Sequence, residues 1–300
     1  MSLPKISIIT PSYNQGEFIE ETILSVLNQR YTNLEYIVID GGSTDDTVAI
    51  LERYADRLTY WVSEKDSGQT NAINKGIQRA TGDIVGVLNS DDVYLPGALD
   101  FVADQFTKNS RVRWMSAPSL YWGPDRAQMR NDMMPVIRPS WVGGWLVAQC
   151  VPHPSTFLSR SVFEQHGLFD ETYFFAMDHE MWCRLAFGGE EMYVFGRPLS
   201  AYRVHGESKS MVARDRMRQD LIRTREKYCQ KLRPPQRKKV AAQLRTENGM
   251  ATLTPVLDIL RRGDRDGAMK EWKKRVADDP SVRYTRYWAT TWIRIVLNWT

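Results

Sequence analysis

The sequence predicts an α/β fold, in which a mostly parallel sheet is flanked by helices and followed by a helical C-terminal extension. Two observations predict the sheet. Over the first hundred residues, short apolar β-rich runs alternate with helical patterns, and each run ends in a polar, turn-forming segment. Alternation of this kind joins parallel strands by right-handed crossovers. A third observation, a change of charge and pattern near residue 211, predicts the extension.

Four strand–helix pairs make up the alternation. They are ISIIT with EFIEETILSVLNQ, EYIVID with DDTVAILERYA, LTYWV with QTNAINKGIQRA, and DIVGVL with GALDFVADQF. Residues 110–210 are less regular, and we interpret them as a continuation of the same domain that closes over the sheet edge. We therefore predict one domain over residues 1–210 and a mainly helical extension over 211–300, with breaks at the Pro pair 234–235, Gly263 and Gly267.

The ends of the predicted strands point to a binding site. The four runs are followed by TPSYNQG, DGGSTDD, SEKDSGQ and NSDD. In an open parallel sheet, ligands bind outside the carboxyl ends of the strands. Four polar strand ends on one rim therefore predict a single site.

Composition sets limits on the class of protein. The 300 residues are 42% hydrophobic, which is enough for a packed core and excludes a disordered chain. Cys150, Cys183 and Cys229 are far apart and match neither a metal-binding pair nor a disulfide framework, so we expect a reducing compartment. We find no signal peptide and no uncharged apolar run of about 18 residues. We expect a cytoplasmic protein, with the cytoplasmic membrane face as the alternative location.

The extension is strongly basic. Residues 1–213 contain 18 Lys/Arg and 26 Asp/Glu, whereas residues 214–300 contain 22 and 10. Residues 283–300 place aromatic side chains on one helical stripe beside arginines, which is typical of a helix in a membrane interface. A helix packed on protein or on a second copy of the chain gives the same stripe. Nucleic-acid binding is disfavoured, because the first part is acidic and carries no nucleic-acid motif.

The segment VLNSDD at 87–92 is a candidate cation site. Asp91 and Asp92 follow an apolar strand, and Mg²⁺ or Mn²⁺ prefers oxygen ligands that it shares with substrate phosphates. The alternative is that Asp92 only caps the following turn.

The segment VIDGGSTDDT at 38–47 is a candidate nucleotide contact. Asp40 can accept hydrogen bonds from a base or ribose, and Gly41 allows close backbone approach. The alternative is a turn aspartate. The glycines do not form GxGxxG, which argues against a dinucleotide dehydrogenase.

Two helical segments carry further candidates. Asn71 and Lys75 share one helical face, and the lysine either holds a phosphate or is a solvated surface charge. Asp178 lies at the start of a predicted helix, where it serves either as a general base for a hydroxyl nucleophile or as a helix cap. His205, in YRVHGES, is either a ligand or a structural histidine.

The order of these segments is more specific than any one of them. From SIITPSYNQG through VIDGGSTDDT, DSGQTNAINKGIQRATGDIVGVLNSDD and AMDHEMWCRL to YRVHGES, the sequence resembles the family 2 glycosyltransferases. These are inverting enzymes with a GT-A fold, a Rossmann-like nucleotide-binding sheet, and they use nucleotide-activated sugars. The resemblance covers roughly residues 5–210.

The resemblance implies a donor side. Asp40 would read a pyrimidine base, and Asp66 and Lys75 would face the diphosphate. The whole implied donor side comprises Thr10, Pro11, Ser12, Tyr13, Asp40, Gly41, Asp66, Asn71, Lys75, Asn89, Ser90 and Asp91.

The family's Asp-x-Asp motif falls on Asn89, Ser90 and Asp91. Because Asn replaces the first aspartate, Asp91 carries the implied contact to Mn²⁺ or Mg²⁺, and Asn89 is left for ribose. His205 is implied as a second metal ligand, with Asp92 behind the site.

The resemblance also implies a catalytic base, Asp178, with His153, Glu180 and Trp182 on the acceptor side. The implied reaction moves a sugar from UDP, or alternatively dTDP, to a hydroxyl of a glycan or polyprenyl-linked glycan in cell-surface polysaccharide synthesis. A sugar nucleotidyltransferase is one alternative, although TPSYNQGE has no basic phosphate-binding residue. A catalytically silent nucleotide-sugar-binding scaffold is the other, which Asn89 favours and Asp178 opposes.

Overall fold

The computed structural model describes residues 3–122, 129–134, 136, 138–147, 151–203, 214–278 and 291. The chain forms two compact units, Met1–Tyr228 and Cys229–Thr300. The first unit is a mixed α/β structure with a mostly parallel central sheet, as predicted.

The strands of the first unit form two sheets. They are β1 (Ile6–Ser12), β2 (Leu34–Asp40), β3 (Tyr60–Ser63), β4 (Ile84–Val87), β5 (Val93–Tyr94), β6 (Trp114–Ser116), β7 (Ser119–Trp122), β8 (Met129–Met134), β9 (Thr156–Ser159), β10 (Met192–Val194) and β11 (Ser200–Arg203). The central sheet has the order β10-β6-β9-β4-β1-β2-β3, and the smaller sheet has the order β5-β11-β7-β8. Only β9 runs antiparallel to its neighbours in the described central sheet.

The helices of the first unit are α1 (Ile19–Leu27), α2 (Thr47–Tyr54), α3 (Gln69–Arg79), α4 (Ala98–Lys108), α5 (Arg160–His166) and α6 (Met177–Phe187). Helix α7 (Arg214–Cys229) follows and ends at the boundary between the units. All four predicted strand–helix pairs are present. Residues 110–210 supply β6, β9 and β10, which extend the central sheet beyond β4.

Strand β1 shows why these sequences fold as they do. All seven of its residues are buried, because parallel strands are covered on both faces. Ile8 belongs to the main core cluster, while Ile9 meets α3 at Gly76. A Cβ on Gly76 would lie 2.4 Å from Ile9, so glycine lets α3 pack directly against the strand.

The second unit contains α8 (Pro234–Arg261) and α9 (Arg265–Asp278), which pack through Leu253, Val256 and Ala268. Helix α8 begins at the predicted Pro pair, where a missing N–H costs little. Gly263 lies in the turn between the helices, but Gly267 lies inside α9, so the predicted break there is wrong.

The predicted interfacial segment, residues 283–300, falls outside the described residues except for Thr291. Over the part of the chain that is described, no helix is long and apolar enough to cross a membrane.

Candidate active site

One cavity of about 920 Å³ lies at the carboxyl ends of β1 to β4. Segments that end or follow all four strands line it, as the strand-end pattern predicts. We call residues 11–13, 41–42, 65–69 and 89–91 the strand wall. Most of the remaining lining comes from Trp145, Val151, His153, Pro154, residues 174–179 and Trp182, with Met217 and Leu221 of α7, and we call these residues the helix wall.

Asp40 lies behind the strand wall and binds the residues that follow β2. It is fully buried. Its Oδ2 accepts hydrogen bonds from the backbone N–H groups of Gly42 (3.1 Å) and Ser43 (2.9 Å) and from Ser63 Oγ (2.6 Å), and its Oδ1 accepts one from Ser43 Oγ (2.5 Å). These donors compensate for burying a carboxylate. The cavity is lined here by Gly41 and Gly42 rather than by Asp40, so the expected contact of Asp40 with a base finds no support in its side-chain placement.

The NSDD segment turns three of its residues toward the cavity: Asn89, Ser90 and Asp91. Asp92 is fully buried instead. Burial, reinforced by the neighbouring charge of Asp91, raises the pKa of Asp92 well above its usual range. The Asp92 carboxylate accepts hydrogen bonds from Asn89 Nδ2 (3.3 Å) and from the backbone N–H of Arg203 (3.0 Å). Asp92 therefore supports the loop from behind.

The donor set of this loop fits a divalent cation shared with a ligand. Mg²⁺ is usually held by one or two carboxylates together with substrate phosphates. Asp91 supplies one carboxylate in the cavity. Within the described ranges, no group of three or more His, Cys, Asp or Glu residues could hold a metal on its own. His205 lies outside the described residues.

The helix wall carries Asp178, His153 and Trp182. Asp178 is the second residue of α6, and its Oδ1 accepts a hydrogen bond from the backbone N–H of His179 (2.7 Å). The ring of His153 packs edge-on against Trp182, with centroids 5.9 Å apart. Burial lowers the pKa of His153, although the charge of Asp178 opposes that shift. Among the described residues, His153 Nε2 is a buried nitrogen without a hydrogen-bond partner.

Two other predicted residues do not line the cavity. Glu180 is fully buried, and Arg184 Nη2 (2.6 Å), Lys227 Nζ (2.9 Å) and Tyr228 Oη (2.8 Å) bond to its carboxylate. Burial would raise the pKa of Glu180, but these partners lower it below its usual value. Thr10 is also fully buried, and its hydroxyl forms a hydrogen bond with the hydroxyl of Tyr36 on β2 (3.1 Å). Both side chains are therefore held within the protein.

Helix α3 also differs from the prediction. Asn71 Nδ2 bonds to Glu171 (3.0 Å), and Lys75 Nζ forms an ion pair with Glu64 (2.7 Å). Neither Asn71 nor Lys75 lines the cavity. Lys65 does, and it is the one Lys or Arg among the described lining residues.

Comparison with known proteins identifies the family. The model of the family described as "Glycosyl transferase family 2" matches residues 7–177, more than half of the chain.

The chain belongs to glycosyl transferase family 2.

One relative is similar in sequence, and two solved structures are similar in fold. An uncharacterized glycosyltransferase of Mycobacterium tuberculosis is 33% identical over 189 residues, covering 62% of this chain and 70% of the relative. S. aureus TarS 1–349 in complex with UDP-GlcNAc has a TM-score of 0.59 at 16% identity, over 92% of both chains. Mannosyltransferase PcManGT from Pyrobaculum calidifontis, in complex with GDP-Man and Mn²⁺, has a TM-score of 0.64 at 20% identity, covering 100% of this chain and 89% of that one. The predicted GT-A fold is confirmed.

Arg203 supports the cavity loop of this family 2 protein from behind, and the sequence patterns did not point to it. It is almost fully buried. Its Nε donates to the backbone carbonyl of Asp91 (2.9 Å), its Nη2 pairs with Glu21 (2.6 Å), and its guanidinium lies 4.1 Å from the ring centroid of Trp122. Arg203 thus fastens the cavity loop to the smaller sheet. The only sequence feature near Arg203 was its position in the YRVHGES segment. A single sequence cannot predict its hydrogen bond to Asp91, because the two residues are 112 positions apart.

The family match ends one residue before Asp178. Helix α7 lies beyond it, yet Met217 and Leu221 of α7 line the cavity. The charge count placed this helix in the basic extension. In the structure, all of its residues up to Tyr228 belong to the first compact unit.

Proposed function

We propose that this protein is an inverting glycosyltransferase that moves a sugar from a nucleoside diphosphate to an acceptor hydroxyl. The observation that supports this proposal most directly is one cavity lined by both Asp91 and Asp178. One carboxylate suits the binding of a cation with a diphosphate, and the other suits proton removal from a hydroxyl. We further propose that the catalytic domain includes α7.

The strand wall would hold the donor. Gly41 and Gly42 allow close backbone approach, Asp66 and Asn89 offer hydrogen-bond acceptors, and Lys65 offers positive charge to a diphosphate. We propose UDP as the nucleotide, with dTDP as the alternative. TarS was solved with UDP-GlcNAc and PcManGT with GDP-Man, so similarity in fold does not choose the base.

A divalent cation, Mn²⁺ or Mg²⁺, would be held by Asp91, with His205 as the second ligand that the family resemblance implies. When bound, it supplies charge stabilisation to the leaving diphosphate. PcManGT was solved with Mn²⁺.

Asp178 would act as the general base. The acceptor oxygen forms a bond to the anomeric carbon as the bond from that carbon to the diphosphate oxygen breaks. The hydroxyl proton passes to the Asp178 carboxylate. Attack from the face opposite the leaving group inverts the configuration.

The acceptor would meet the helix wall, where Trp182 and His153 lie beside apolar side chains that include Phe175 and Leu221. We propose a glycan or polyprenyl-linked glycan acceptor in a cell-surface polysaccharide pathway. A membrane contact through residues 283–300, a second copy of the chain as partner, and a cytoplasmic location remain predictions.

Isothermal titration with UDP, dTDP, GDP and CDP, each with Mn²⁺ and with EDTA, tests the donor proposal. We expect metal-dependent binding of one pyrimidine diphosphate. If none of the four binds under either condition, the transferase proposal fails.

A further inference from the structure

Asp220 of α7 bonds to the segment that leads into α6. Its Oδ2 accepts hydrogen bonds from three consecutive backbone N–H groups, those of Phe174 (3.1 Å), Phe175 (2.8 Å) and Ala176 (3.3 Å). Successive amides that converge on one oxygen form an anion-binding concavity. The carboxylate therefore orders residues 174–176 as a unit.

Helix α6 has no side-chain cap at its N-cap position. Its N-cap residue is Ala176, which makes no side-chain capping bond. Amides at the start of a helix need partners from elsewhere, and negative charge is favourable there. Asp220 supplies an acceptor and a negative charge to this N-cap residue and to the two residues before it, from another helix 44 to 46 positions further along the chain.

Helix α7 also bonds to residues that come before and after the segment 174–176 in the chain. Arg223 donates to the Thr172 carbonyl (3.1 Å) and hydroxyl (2.7 Å), and Lys227 and Tyr228 bond to Glu180. Thr172 comes before residues 174–176 in the chain, and Glu180 comes after Asp178. The hydrogen bonds that Asp220 accepts therefore complete a clamp around the start of α6.

The segment held by this clamp forms part of the proposed active site. Residues 174–178 all line the cavity, and Asp220 does not. A displacement of about 1 Å in a reacting group can cost about 10²-fold in rate. We propose that Asp220 is a positioning residue: it holds the start of α6 so that Asp178 reaches the acceptor hydroxyl. This inference rests on the proposed function.

The test compares Asp220→Ala and Asp220→Asn with Glu226→Gln in the full-length chain. Asn keeps an oxygen acceptor without the charge, and Ala keeps neither. Glu226 lies on the same helix, is exposed and has no part in the site, so it controls for loss of one negative charge. Thermal melts identify any variant that fails to fold, in which case Asp220→Asn carries the test.

Two readouts separate positioning from general stability. Amide hydrogen exchange at residues 174–176 should be faster in Asp220→Asn and faster still in Asp220→Ala, with residues 84–91 unchanged. The kcat for UDP release from UDP-glucose, UDP-galactose and UDP-N-acetylglucosamine with glycoside acceptors should fall at least tenfold in Asp220→Ala and less in Asp220→Asn. The Kd for UDP should stay within twofold, and Glu226→Gln should match the wild type.

The outcomes are distinguishable. An active wild type with a fully active Asp220→Ala variant overturns this inference and leaves the proposed function standing. A UDP affinity that falls as much as kcat also overturns it, because the damage then extends beyond Asp178. A wild type that binds none of UDP, dTDP, GDP and CDP overturns the proposed function, and this inference with it.

Discussion

Asp66 lies so close to Gly41 that a Cβ at position 41 would be 2.9 Å from the Asp66 Oδ2 atom. Both residues line the cavity, and Asp66 Oδ1 accepts a hydrogen bond from the backbone N–H of Gly68 (2.8 Å). The end of a side chain yields more easily than backbone. A methyl group on Gly41 should therefore displace the Asp66 carboxylate and leave the loop folded.

Gly41→Ala should raise the Kd for UDP about tenfold, equivalent to about 1.4 kcal/mol, and change the free energy of unfolding by only about 1 kcal/mol. Titration calorimetry and urea denaturation measure the two quantities. Gly196→Ala is the matched control, because a Cβ there meets nothing within 4 Å. An unchanged Kd in Gly41→Ala would show that the position of Asp66 does not matter for the nucleotide.

Lys65→Met should weaken UDP binding about fivefold and leave uridine binding unchanged. A unit charge about 4 Å from a phosphate contributes about 1 kcal/mol in a water-like environment. Lys75→Met is the control, because Lys75 pairs with Glu64 outside the cavity. Competition titrations with UDP and uridine measure both effects. A larger loss of UDP affinity in Lys75→Met than in Lys65→Met would show that Lys75, and not Lys65, contacts the phosphates.

Asp178→Asn should lower kcat by about 10² to 10⁴-fold, the usual contribution of a general base, with the donor Kd nearly unchanged. Initial rates of UDP release and titration with UDP give the two values. Asp104→Asn serves as a control, because Asp104 pairs with Lys108 on the surface of α4. Normal turnover in Asp178→Asn would refute the assignment.

Glu35 should make stability depend on pH. Burial would raise its pKa, but hydrogen bonds from Lys5, Ser7 and Thr81 lower it to about 2. A depressed carboxyl pKa stabilises the fold above the unfolded value, near 4.5, and this contribution is lost as pH falls toward 2. The shift corresponds to about 3 kcal/mol.

Urea denaturation of wild type and Glu35→Gln between pH 6 and pH 2 measures this contribution. The stability advantage of the wild type should be constant above about pH 5 and shrink as the pH falls. Asp104→Asn provides a surface control. An advantage that does not change with pH would show that the hydrogen bonds to Glu35 do not depend on its charge.

The sequence by itself determined the strand–helix pairs and the rim on which the cavity lies. Hydrophobic periodicity and turn residues are local signals, and parallel strands connected in this order bring their carboxyl ends to one edge. The strand-end pattern reached the segments of Asp66 and Asp91, which line the cavity, whereas only the family resemblance brought Asp178 to the same site.

Only the tertiary structure decided which side chains at that rim face the cavity. Lys65 and Lys75 are both plausible phosphate ligands by sequence, but Glu64 pairs with Lys75 and Lys65 lines the cavity. Asp40 and Glu180 turn inward because buried donors surround them. Arg203 and Asp220 act across 112 and about 45 positions. Side-chain direction and long-range pairing depend on packing between distant segments, which no local pattern encodes.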